Sequence, residues 1–243
     1  MGATSMNVIK NIFGSSLGKK YIMAITGGAM FLFVIGHMVG NLQFFLGAET
    51  LNRYGHFLQT TPEILWPSRI GLLVMVALHV WSAVKLSAEN KAARPEAYVN
   101  LQTNSASYAS RTMLMSGLII AAFIVYHLLH YTVMVKEINL TGQDFHTLNE
   151  TLKDGSERHD IHQMMIVGFS HPAVSAFYII AVGLLCLHLS HGVGAMFQSL
   201  GLKNHVYGPL LDKSSKLIAL ALFLGYVSIP ISVMLSKYGG CCK

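Results

Sequence analysis

Histidine is the residue on which chemistry could rest in this chain. There are 12 among 243 residues, and six stand inside long uncharged runs: His37, His79, His127, His130, His188 and His191. An ionisable side chain in an apolar segment is costly, so it faces a bundle interior and has work to do there. Imidazole nitrogen is a suitable axial ligand on both faces of haem iron, and a helix-bundle core is a usual place to build such a site. A zinc protease would need His-Glu-x-x-His on one helix, and a membrane di-iron enzyme would need carboxylates or dense histidine boxes. No Asp or Glu interrupts these runs. Histidine alone, spread over four segments, favours haem.

The elements that must carry these residues are membrane helices. Only 12% of the residues are charged and 53% are hydrophobic, against about 25% charged in a soluble domain. The charges cluster between uncharged stretches at 21–48, 70–84, 112–135, 161–202 and 217–236. A span needs about 20 apolar residues, so each stretch is a candidate. The second is short and is extended outward through Trp66 and Pro67, with proline at a helix start. The fourth is too long for one helix, and His171-Pro172 marks the start of its span. The expected fold is all-α: one integral membrane domain, 1–243, of five transmembrane helices near 20–47, 67–88, 111–136, 171–200 and 214–237. Four of them form a dihaem core. The first stretch is too long for a signal peptide and has no small-residue cleavage site, so it reads as retained. Cys186 reads as a packing residue and Cys241-Cys242 as a solvated tail, with no disulfide or zinc spacing.

Depth then sorts the histidines. At ~1.5 Å per helical residue, His37 lies roughly 25 Å outward from Lys20 and His127 roughly 24 Å outward from Arg111. His79 lies only ~9 Å from Lys85 at the inner end, and His188 roughly 25 Å inward from His171. Two levels, each served by two helices, suit two bis-histidine haems. His130 and His191 sit one turn beyond His127 and His188, so spacing alone leaves either member of each couple as the ligand.

Basic residues lie in the N-terminal tail, in the loop carrying Lys85, Lys91, Arg94 and Arg111, and in the turn carrying Lys203, Lys213 and Lys216. The longer of the other two loops is acidic, with Glu137, Asp144, Glu150, Asp154, Glu157 and Asp160. By the positive-inside rule the N-terminus is cytoplasmic and the C-terminus outside. The net charge of +6 is thus topological, and no nucleic-acid partner is expected.

Several stretches carry a family likeness. They are Ser15-Ser16-Leu17-Gly18-Lys19-Lys20, Ala24-Ile25-Thr26-Gly27, Gly36-His37-Met38, Gly40-Asn41-Leu42, Asn52-Arg53-Tyr54 and His56-Phe57-Leu58. Helix four adds His188, Gly192 and Leu200-Gly201-Leu202. In these the chain resembles the cytochrome b membrane anchor of succinate dehydrogenases and fumarate reductases, in its single-chain, five-helix, dihaem form. The resemblance implies His37, His79, His127 and His188 as axial ligands of two haem b, an outer pair His37/His127 and an inner pair His79/His188. It leaves His130 and His191 as neighbours of the ligands or propionates.

The resemblance also implies a bacterial cytoplasmic membrane and a complex with a flavoprotein subunit and an iron-sulfur subunit. FAD and the iron-sulfur clusters would reside on those partners, where the tricarboxylic acid cycle chemistry occurs. Electrons would enter from the cytoplasmic face, pass the inner then the outer haem, and meet quinone, with menaquinone favoured. A quinone site needs an apolar slot with a few polar groups, and Asn52, Arg53, His56 and Gln59 after the first helix offer them. Arg69 and Arg111 at helix ends suit haem propionates, or snorkel to the interface. Two other readings compete: a dihaem cytochrome b of a hydrogenase or formate dehydrogenase, and a transporter or scaffold without redox cofactor. Copurifying subunits separate the first, and haem absorption the second.

Overall fold

A computed structural model describes residues 10–93 and 111–238. Arg94 and Cys241-Cys242 lie outside the described residues. The chain runs α1 (Ser16–Leu42), a 3-10 turn (Gln43–Leu46), α2 (Ala48–Gln59), α3 (Pro62–Ala92) and α4 (Met113–Tyr131). A hairpin of β1 (Asn149–Thr151) and β2 (Glu157–His159) follows, then α5 (Ile161–Phe169), α6 (Pro172–Ser199) and α7 (Gly208–Tyr238). The hairpin is antiparallel, with Glu150 opposite Arg158. α1, α3, α4, α6 and α7 are each long and apolar enough to cross a membrane, so the protein is an all-α, multi-pass membrane protein. In lipid a helix meets every backbone hydrogen bond internally, which is why uncharged runs of this length become helices.

Local signals set the helix ends. Ser15 Oγ accepts from Gly18 N at 3.0 Å, capping the start of α1. α3 begins five residues earlier than the sequence suggested, because Pro62 rather than Pro67 takes the first helical position, where a missing N–H is harmless. Pro67 lies inside α3, where it has no N–H to offer the carbonyl of exposed Glu63. α4 stops at Tyr131 instead of continuing to 136; the chain turns away through Met134 at φ 58°. The long fourth run divides into α5 and α6, since the residue before a proline avoids the helical region. α6 ends in a Schellman motif: Gly201 at φ 73°, Leu202 N bonded to Phe197 O at 2.9 Å and Gly201 N to Gln198 O at 3.1 Å.

The described residues fall into two compact units. The first draws on 10–33, 70–93, 111–118 and 187–219. In it Lys19 is buried, with Nζ donating to Glu89 Oε1 at 2.7 Å and to Gly14 O at 2.9 Å, and so ties α1 to α3. Lys203 pairs with Asp212 at 2.7 Å, closing the turn between α6 and α7.

The second unit draws on 34–69, 119–186 and 220–238. Its apolar core is Leu51, Met165, Phe169, Val174, Tyr178, Ile229 and Val233. α2 packs on α5 so closely that a Cβ on Gly55 would stand 2.0 Å from Ile161 Cδ1. Gly40 likewise lies under the Tyr54 ring, 2.9 Å from where its Cβ would be. Among the described residues, close backbone approaches between elements are concentrated in these loop elements.

Candidate functional site

In the first unit the structure brings together His79 of α3 and His188 of α6, with ring centres 6.5 Å apart and planes 63° apart. Each ring rests on a hydroxyl residue followed by glycine. His79 Nδ1 lies 3.2 Å from Thr26 Oγ1 and 3.1 Å from Met23 O on α1. His188 Nδ1 lies 3.2 Å from Ser116 Oγ on α4. A Cβ on Gly27 would come 3.0 Å from His79 Cε1, and one on Gly117 would come 3.3 Å from His188 Cε1. A carbonyl only accepts, so His79 Nδ1 carries the proton and Nε2 keeps its lone pair. His191 is half-buried, one turn on, toward Lys203 and Asp212.

In the second unit His37 of α1 meets His127 of α4, with ring centres 5.8 Å apart and planes 81° apart. Tyr226 of α7 stands beside His37 at 6.2 Å and donates its hydroxyl to Val34 O at 2.7 Å. Tyr178 Oη lies between two histidines, 3.3 Å from His127 Nδ1 and 2.9 Å from His130 Nδ1. His130 is wholly buried among Tyr126, Tyr131, Phe145 and Tyr178, and its Nε2 has no hydrogen-bond partner among the described residues. Tyr131 Oη is also buried without a hydrogen-bond partner among the described residues; it faces Gly168, where a Cβ would come within 2.4 Å.

These pairs can be tested for fit to haem. With metal–nitrogen bonds of about 2 Å, two imidazoles on opposite faces of one iron have ring centres about 6 Å apart. Both pairs stand at that spacing. Gly27 and Gly117 keep the backbone against the ring edges of His79 and His188. The donor set, imidazoles of which His79, His127 and His188 have Nδ1 within hydrogen-bond distance of a protein oxygen, is one that haem iron takes. The residues fit the group.

The other residues singled out are placed differently from one another. Asn52 is wholly buried: its amide donates to Glu150 Oε1 at 2.8 Å and Asp160 Oδ1 at 2.9 Å, and its oxygen accepts from His162 N at 2.9 Å. Arg53, His56 and Gln59 are exposed on α2. Arg69 is exposed with its guanidinium 5.5 Å over the Trp66 ring, and Arg111 is exposed at the start of α4. Sequence reasoning did not single out Thr26, Ser116 or Tyr178 for contact with the histidines. Nor did it find Arg158, which is buried and bonded to both Glu49 and Glu150. The available signal was a hydroxyl inside an uncharged run, which is common in membrane helices and points to no particular partner.

The fold and the two pairs define a helical multi-pass membrane protein whose intramembrane histidines meet two by two. Compared with known protein families, with curated proteins and with solved structures, the chain matches none.

Proposed function

We propose that this chain is a dihaem cytochrome b that anchors a succinate dehydrogenase or fumarate reductase in the bacterial cytoplasmic membrane. The observation that carries the haem assignment is the meeting of four intramembrane histidines as two pairs, with ring centres 5.8 and 6.5 Å apart. His37 and His127 would hold one haem, His79 and His188 the other. Bound there, the haems supply one-electron transfer between an iron-sulfur partner and membrane quinone. The chain's own share is to fix the imidazoles, exclude water and tune ligand basicity through the hydroxyls on Nδ1. The choice of dehydrogenase rests on the sequence likeness at 15–58 and 188–202, as does the expectation of a flavoprotein and an iron-sulfur subunit. The distribution of lysines and arginines places the N-terminus in the cytoplasm in this reading.

The test is a dithionite-reduced minus oxidised spectrum of the purified complex, with haem counted per chain as the pyridine haemochrome. Two b haems are expected. A preparation without Soret absorption overturns the cytochrome reading. Copurification of hydrogenase or formate dehydrogenase subunits in place of a flavoprotein overturns the choice of partner.

A further inference from the structure

The two histidines of the first unit are seated alike. Thr26-Gly27 on α1 receives His79, and Ser116-Gly117 on α4 receives His188; in each case the hydroxyl meets Nδ1 and the glycine faces Cε1. Both hydroxyl residues are buried. Neither hydroxyl hydrogen is needed by the imidazole: Thr26 Oγ1 donates to Ile22 O at 2.7 Å, and Ser116 Oγ donates to Met113 O at 3.2 Å. The oxygen lone pair is then left to accept from Nδ1–H. We infer that Thr26-Gly27 and Ser116-Gly117 are paired imidazole seats, positioning residues that hold both inner ligands in the Nδ1–H form and present Nε2 to iron. This rests on the haem reading above.

The two seats differ in one respect. His79 Nδ1 has a second acceptor, the Met23 carbonyl at 3.1 Å, whereas Ser116 is the one acceptor found for His188 Nδ1 among the described residues. An acceptor on Nδ1–H makes the imidazole a stronger donor and favours ferric over ferrous iron. Removing it therefore raises the midpoint potential of the haem concerned. Ser116→Ala should raise it more than Thr26→Val, because His79 keeps the carbonyl.

The experiment is potentiometric titration of the haems in the purified complex, with low-spin ferric EPR, for Ser116→Ala, Ser116→Thr, Thr26→Val and Thr26→Ser. The expected result is an upward shift of one haem and an altered ferric signal in Ser116→Ala, a smaller shift of the same haem in Thr26→Val, and the other haem unmoved. Ser116→Thr and Thr26→Ser keep the hydroxyl and should restore the wild-type values. If Ser116→Ala loses the haem while Ser116→Thr keeps it, the seat is also supported. Loss of haem in both Ser116 variants would overturn it, because packing and not the hydroxyl would then matter. So would wild-type potentials and EPR in Ser116→Ala and Thr26→Val. Failure of the haem reading is distinct, since the wild-type complex would then carry no haem to titrate.

Discussion

At the scale of the residue, burial separates side chains that a sequence presents as equals. Asn52, Arg53, His56 and Gln59 all offer polar atoms on α2, yet Asn52 alone is enclosed and fully engaged, by Glu150, Asp160 and His162 N. Replacing Asn52 with Ala removes one donor from Glu150 and one from Asp160, which keep Arg158 and Gln163 N, and takes the acceptor from the His162 N–H, which costs roughly 1–3 kcal/mol. Thermal unfolding in detergent should show the loss. Asn52→Asp should destabilise more, because it adds a third carboxylate to the same site. An Asn52→Ala complex that melts like wild type but reduces quinone slowly would instead return Asn52 to the quinone site. His127 and His130 separate in a similar way. His127 faces His37, while His130 is wholly buried and bonded to Tyr178. Haem per chain should fall from two to one in His127→Ala and stay at two in His130→Ala, read by pyridine haemochrome.

At the scale of the element, the segment between α4 and α6 is held to α2 by charge. Arg158 on β2 is buried, and burial alone would lower its pKa. Its bonds to Glu150 and Glu49 outweigh that and raise it, so the guanidinium stays charged. Arg158→Ala leaves Glu49 and Glu150 without their cation, and the hairpin should become the first site of proteolysis in the folded protein. Its neighbour His159 is half-buried, and burial holds its pKa below the usual histidine value, against the opposing effects of the Leu148 carbonyl and Asp160. The fold therefore favours neutral His159. Its contribution is intact above the ordinary histidine pKa of about 6.5 and is lost as pH falls through that value toward the lower folded one. Hydrogen-exchange protection of the amides at 148–160 should be lower at about pH 5.5 than at about pH 7.5, on either side of that value.

At the scale of the whole molecule, five spans put successive connections on alternate sides of the membrane. The turn after α6 and the loop before α5 should be reached from opposite faces. In a chain without other accessible thiols, His205→Cys and Gln143→Cys sit at exposed positions in those connections. An impermeant maleimide applied to intact cells should label Gln143→Cys alone. Labelling of His205→Cys alone would reverse the orientation inferred from the lysines and arginines, and equal labelling would contradict an odd number of spans between them.

The number and approximate extent of the spans were legible in the sequence, because backbone hydrogen bonding in lipid leaves an uncharged run of about 20 residues little choice but a helix. So were the six histidines within them. Helix ends were less legible: Pro62 and Pro67 both suit a helix start, and only the chain's path from α2 chose the first. The pairing of rings was open in sequence at one turn's resolution, since His127 and His130, or His188 and His191, share a face. Tertiary structure set His127 against His37 and His188 against His79, because helix rotation depends on packing between segments distant in the chain. The seats at Thr26 and Ser116, the Tyr178 bridge and the enclosure of Asn52 have the same origin. Each joins residues about 50 or more apart in sequence, and a periodic pattern within one helix records which face is apolar, not which side chain of another helix it will meet.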